Sequence, residues 1–265
     1  VAWATLDGVR LYYQVRGTGS SLVLVHGSWD DHHSWARVTP HLTGSFRVLG
    51  YDRRGHGAST CPPGQGSIHE DVADLLALLE RTGSSPAHVV GHSYGSSIAL
   101  LAALRRPDLV TRLTLHEPPL FALLAGGPYD HLLHEVGAKM RRAVELCESG
   151  EVEAGARLFV EEVGFGSGNW EHTLTPDLRK TFVEHADTWL DQSRDPDRMA
   201  VDRAALTRLT VPTVLTEGDR GLPWYPPVMD ELARCIPGAR RERIAGAAHA
   251  PHLTHPAEFA AVVSG

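Results

Sequence analysis

Lysine is almost missing from this chain: two of its 25 basic residues are Lys and the rest are Arg. The bias by itself carries no functional meaning. More telling is the lack of any concentrated positive face, because basic residues are interspersed with acids in a chain of net charge −7 and pI near 6.1. Nucleic-acid binding needs such a face and is set aside. Cysteine is scarce too. Cys61, Cys147 and Cys235 are odd in number, widely spaced and without a CxxC, which argues against a disulfide framework or a zinc knot. They read as reduced thiols of a cytoplasmic protein. The longest apolar run, residues 98–104, is far too short to cross a bilayer, so no membrane span is expected. No charged segment followed by an apolar one opens the chain, although a first residue of Val leaves room for a trimmed leader.

What is present is an ordinary globular composition, 42% apolar and 22% charged over 265 residues, which suits one domain with a large insertion. The unusual count is 16 histidines, which have to be divided between chemistry and packing. Short aliphatic runs bounded by turn residues read as strands at Val9–Arg16, 22–26, Phe46–Tyr51, 87–91, Val110–His116, 213–216 and Arg240–Ile244. Helical patterns lie between and after them at 71–82, 93–106, 224–236 and 256–263; in the first, Val72, Leu75, Leu76 and Leu79 share one face. Alternating strands and helices predict a mostly parallel sheet covered on both faces, and the close spacing of the first strands predicts an antiparallel opening. Residues 118–205 break the alternation with helical patterning alone. The expected division is therefore a core of 1–117 and 206–265 with a helical cap at 118–205.

Four segments carry chemistry. Gly91-His92-Ser93-Tyr94-Gly95 follows a strand and opens a helix, the setting in which a G-x-S-x-G turn leaves its serine hydroxyl exposed at the strand end. His26-Gly27-Ser28-Trp29 follows an earlier apolar strand. A serine attacking a carbonyl needs two N–H donors for the developing oxyanion; Tyr94 and Ser28 are the candidates, with Trp29 on the pocket wall. The polar run 51–59, Tyr-Asp-Arg-Arg-Gly-His-Gly-Ala-Ser, reads as a brace of the sheet end through Asp52 and Arg53. The segment 246–252, Gly-Ala-Ala-His-Ala-Pro-His, places His249 after the last strand, where a general base for Ser93 belongs; His252 and His255 read as loop or helix-start residues.

With these four motifs in order, the chain resembles the α/β-hydrolases with a helical cap. The resemblance spans nearly the whole length and implies an eight-stranded sheet and a serine-type site, while leaving the substrate open. It also exposes a departure. In most of the family the acid of the triad follows the strand at 213–216 as G-x-x-D, but here Gly221 occupies that position, and Asp219 lies two residues early. The other candidate is Glu117, in 113–119, Leu-Thr-Leu-His-Glu-Pro-Pro, directly after the strand that follows the Ser93 helix. Fungal lactone hydrolases of the zearalenone type are similar here, with a His-Glu-x-Pro segment at the same interval after their serine. Glu117 is the choice and Asp219 the alternative.

Other features carry less. Asp30-Asp31-His32-His33 is too compact for its side chains to converge on one ion, and 131–135, His-Leu-Leu-His-Glu, has the wrong order for a zinc helix, so no metal is expected. Gly17-Thr18-Gly19 precedes a strand and not a helix, so no phosphate loop and no cofactor are expected. Among the aromatics of the cap, Trp189 is the choice for substrate contact. The expected function is hydrolysis of an ester or lactone of a small, fairly apolar molecule through an acyl-enzyme on Ser93. Carbon–carbon bond hydrolysis and perhydrolysis could use the same triad, and a ligand-binding receptor on a hydrolase fold is the reading from another class. A small-molecule substrate is the expected partner, with a homodimer left open.

Overall fold

A computed structural model describes residues 2–265. Eight strands, β1 (Ala2–Leu6), β2 (Val9–Arg16), β3 (Ser20–Val25), β4 (Phe46–Tyr51), β5 (Ala87–His92), β6 (Val110–His116), β7 (Thr213–Gly218) and β8 (Arg240–Ile244), make one sheet in the order β1-β2-β4-β3-β5-β6-β7-β8. The pairs β1–β2 and β2–β4 are antiparallel; all the others are parallel. The first strand was not among the sequence expectations. It pairs with β2 across Asp7-Gly8, and an Asp-Gly step between alternating residues was the available signal.

Helices α1 (Thr39–Leu42), α2 (Ile68–Arg81) and α3 (Tyr94–Arg105) lie between the strands up to β6. Helix α2 begins three residues earlier than its apolar stripe implies, because Ser67 and Glu70 form a capping box. Between β6 and β7 the chain is helical throughout its regular parts: α4 (Asp130–Glu148), α5 (Val152–Leu158), α6 (Asn169–His172), α7 (Pro176–Glu184), α8 (Ala186–Arg194) and α9 (Arg203–Leu206), with a π-helical turn at Phe159–Gly164. The chain closes with α10 (Tyr225–Cys235), α11 (Pro251–Thr254) and α12 (Pro256–Ser264).

The central strand β5 is buried at all six positions, as a parallel strand covered on both faces must be. One apolar cluster packs α2, α3 and α10 on one side of the sheet; another joins Trp35, Val90, Ile244 and Phe259 on the other. The helices between β6 and β7 have their own cluster, which includes Trp170 and Phe165 and in which the rings of Trp189, Phe182 and Phe159 lie against Trp29 of the core. That shared tryptophan is one anchor of the helical segment; Leu132, Val136, Met140 and Val163 of the same segment pack into the larger cluster of the sheet. All three cysteines are free, and among the described residues no helix is long and apolar enough to cross a membrane.

Candidate active site

Parallel strands end together, so the loops after β3, β5, β6, β7 and β8 meet at one edge. Ser93 stands immediately after β5 with φ 52° and ψ −123°, a left-handed conformation that a side chain resists. The turn is tight on both sides. A Cβ on Gly95 would lie 2.2 Å from the Val25 carbonyl oxygen, and one on Gly91 would lie 2.5 Å from the Ser96 Cα. The glycines of the motif are therefore demanded by backbone contact. Ser93 N–H donates to the His116 carbonyl at 2.8 Å, which ties the turn to β6.

Glu117 follows β6, also at positive φ (42°), and its carboxylate is held from two directions. Oε1 accepts from Gly218 N–H at 2.9 Å and Oε2 lies 2.6 Å from His249 Nδ1. An ionised carboxylate only accepts, so this contact puts the imidazole proton on Nδ1 and leaves Nε2 as an acceptor. The His249 ring stacks on Tyr225 (centroids 4.5 Å apart, 16° between planes), and the Tyr225 hydroxyl lies 3.4 Å from Nε2. Burial, and then the charge of Glu117, hold the Tyr225 phenol well above its ordinary pKa, so it stays protonated.

Asp219 goes elsewhere. It is exposed and accepts from Gly246 N–H at 2.8 Å, bracing the turn after β8. The family's usual acid position explains the arrangement in space: a Cβ built on Gly221 would sit 3.3 Å from Glu117 Oε1. A carboxylate arriving from position 221 would compete for the volume that Glu117 fills from the neighbouring strand.

The loop after β3 is braced from below. Arg53 Nη2 donates to the Gly27 carbonyl at 3.0 Å, while Nη1 is paired with Asp71 at 3.1 Å. Arg53 N–H donates to His26 Nε2 at 3.0 Å, so His26 must carry its proton on Nδ1, facing the Gly27 carbonyl. Burial and the adjacent Arg53 charge keep His26 neutral, its pKa well below the ordinary value. Burial pushes Asp71 up to about 6 despite the guanidinium. Asp52 accepts from His32 N–H and Ala58 N–H and contacts His32 Nδ1 at 2.6 Å, so it organises this loop without reaching the histidine of the site. Ser28 N–H is unpaired outside the regular elements, and Tyr94 N–H is in the first turn of α3, where a helix leaves its donors without internal acceptors. One candidate oxyanion donor thus lies in the loop after β3 and the other at the start of α3, and the two segments meet beside Ser93: a Cβ on Gly27 would lie 3.3 Å from the Ser93 Cβ.

Trp29, at φ 69°, turns its ring away from the sheet and stacks on Trp189 of α8 with centroids 4.5 Å apart. His185, between α7 and α8, donates from Nδ1 to the Trp29 carbonyl (2.8 Å) and accepts from Gly57 N–H at Nε2 (2.8 Å). Thr188 donates to the Gly55 carbonyl at 2.7 Å, and Trp224 Nε1 donates to the Val163 carbonyl at 3.1 Å. These four ties close the helical segment over the site. Ser93 is 7% exposed, and His249 and Glu117 are 1% exposed each, so all three side chains lie buried beneath these ties.

His185, Tyr225 and Thr188 were not singled out in the sequence. No local motif marks them; an aromatic opening a helix just past the usual acid position was the one hint, for Tyr225. Among the described residues three groups of side chains could in geometric terms hold a metal: Asp31-His32-His33, His116-Glu117-His249 and Asp30-His92-His252. Asp31 spends its carboxylate capping the turn at His33, and His32 is held by Asp52. In the third group burial raises the Asp30 pKa and lowers those of His92 and His252, so that each is pushed toward its neutral form.

A family model described as the alpha/beta hydrolase family matches residues 22–262. The chain is 37% identical over 125 residues to the uncharacterized hydrolase YraK of Bacillus subtilis, covering 46% of this chain and 45% of that protein. It thus spans less than half the length of that relative. Among solved structures, the enol-lactonase of Burkholderia xenovorans LB400 matches with a TM-score of 0.81 at 24% identity, covering 99% of this chain and 98% of that one. A hydrolase of Pseudomonas aeruginosa PA01 matches at 27% identity and a TM-score of 0.79, covering 99% and 96%. With the family model spanning both halves of the sheet and the helices between them, the chain belongs to the alpha/beta hydrolase family.

Proposed function

We propose that this hydrolase cleaves an ester or lactone bond through an acyl-enzyme on Ser93, with His249 as general base and Glu117 as the acid that orients it. The observation that carries the reading is the 2.6 Å contact between His249 Nδ1 and Glu117 Oε2 beside the strained turn that bears Ser93. His249 Nε2 takes the Ser93 proton as Oγ attacks the carbonyl carbon. The carbonyl oxygen becomes an oxyanion facing the Ser28 and Tyr94 N–H groups. The tetrahedral intermediate collapses, His249 gives the proton to the leaving alkoxide, and an alcohol departs; in a lactone it stays tethered to the acyl group. Water, deprotonated by the same Nε2, then releases the acid and restores Ser93. Residues 118–205 act as the lid, opening for entry and excluding bulk water when closed. Trp29 and Trp189 supply an apolar wall beside the scissile bond.

A fluorophosphonate probe tests this reading by intact mass. The native chain is expected to gain one adduct, and Ser93→Ala and His249→Gln are expected to gain none on the same timescale. A native chain that stays unlabelled, or a Ser93→Ala variant that labels equally fast, overturns the reading.

A further inference from the structure

Arg198, between α8 and α9, is buried with 4% exposure, and its Nε and Nη1 have no hydrogen-bond partner. The charge of Asp195 acts on the guanidinium from nearby, but among the described residues no carboxylate is paired with it. Asp195 accepts from the N–H groups of Ile68 and Asp197, and Asp71 is paired with Arg53. A desolvated guanidinium with unfilled donors is costly, and burial draws its pKa below the usual arginine value. It persists where a ligand supplies the missing charge.

The surroundings point the same way. The Arg198 guanidinium carbon stands 5.8 Å from the ring of Tyr94, the residue after Ser93, and 6.0 Å from the ring of Trp189. Arg53 approaches the same Tyr94 ring at 5.0 Å. The Tyr94 hydroxyl and the indole N–H groups of Trp29 and Trp189 are likewise buried and unpartnered. Beside the ring of the residue that follows Ser93, and on the tryptophan pair next to it, there is thus a set of idle donors that includes one cation without a hydrogen-bonded carboxylate. The idle acceptor nearest in sequence, Gln192 Oε1, lies one turn further along α8, on a residue that lines a separate surface cavity with Arg54 and Cys61.

We propose that Arg198 anchors a carboxylate on the substrate, so that the ester or lactone opened at Ser93 is that of a carboxylated molecule. Guanidinium matches a carboxylate in shape as well as charge, and the apolar rings around it strengthen the pairing by excluding water. This assignment rests on Ser93 being the nucleophile. No bond at Arg198 forms or breaks; it binds and positions.

The test compares two p-nitrophenyl esters of equal chain length, the neutral valerate and the glutarate half-ester with its free carboxylate, alongside fluorophosphonate labelling. The native chain is expected to favour the half-ester. In Arg198→Met the ratio of kcat/KM for the half-ester to that for the valerate is expected to fall about 10–100-fold, as for loss of a charge-assisted bond. Arg198→Lys is expected to restore part of the ratio. If labelling is normal in both variants but the ratio does not move, Arg198 is a packing residue and the carboxylate assignment fails while the serine hydrolase stands. If the native chain neither labels nor turns over either ester, both fall.

Discussion

Glu117→Gln is expected to slow fluorophosphonate labelling and ester turnover by about 10⁴-fold, the scale of losing the acid of such a triad. The amide has one acceptor oxygen where the carboxylate has two. It cannot serve Gly218 N–H and His249 Nδ1 together without turning its NH₂ toward one of them. An NH₂ facing Nδ1 forces the proton onto Nε2, the nitrogen that must accept from Ser93. Asp219→Asn keeps an acceptor for Gly246 N–H and is expected to stay within a few-fold of native. A partial rescue follows from the shared volume. In Glu117→Ala with Gly221→Asp, a carboxylate arrives from β7 beside the point that Glu117 Oε1 vacates, since the Cβ of residue 221 lies 3.3 Å from it. Rates well above those of Glu117→Ala alone would support the swap. A collapse in Asp219→Asn with Glu117→Gln unaffected would reverse the assignment.

The second large effect is loss of stability in mild acid. Six buried histidines, His26, His56, His88, His92, His116 and His252, have pKa values lowered chiefly by burial, His88 and His252 to about 3. They are neutral in the folded chain and take up protons when it unfolds, so the unfolded state binds more protons between about pH 3 and the ordinary value near 6.5. Stability is therefore complete above that value and declines as pH falls through the window. At pH 5, about 1.5 units below the ordinary pKa, His88 and His252 each withdraw about 2 kcal/mol. Three carboxyls oppose this: Asp30, Asp71 and Asp74 are raised by burial and gain protons on acidification while folded. Six groups against three leave a net loss. Urea denaturation at pH 7.5 and 5.0 measures it, with a clearly lower midpoint expected at pH 5.0. An equal or higher midpoint would mean that these rings are not buried neutral.

The sequence made some of this readable and hid the rest for a physical reason. The turn around Ser93 was legible because its constraints are local: two glycines, a strand before and a helix after. Glu117 became a candidate through its place at the end of a strand and the interval it shares with the zearalenone-type lactone hydrolases; its contact with His249 is visible only in the fold. Asp219 could be weighed but not dismissed, because only the fold shows that its carboxylate faces Gly246 and that Gly221 abuts Glu117. Tyr225, His185, Thr188 and Arg198 gave no motif. The first three meet their partners by contacts the chain makes over long separations, and the burial of Arg198 without a hydrogen-bond partner shows only in the folded chain. The histidine count was visible from the start; which rings are buried was not.

Trp29, Ser93 and Glu117 are the three non-glycine residues with positive φ among those described. Each such joint costs on the order of 1–3 kcal/mol, and a whole domain is stable by only about 5–15 kcal/mol. At position 93, glycine relieves that cost, while its freer unfolded chain gives back about 0.5–1 kcal/mol. The Ser93→Gly chain is therefore expected to melt a few degrees above the parent, read by differential scanning calorimetry, while making no product. Directed evolution for heat resistance alone would reward that substitution, and a screen on this hydrolase has to select for turnover at every round to keep the proposed nucleophile.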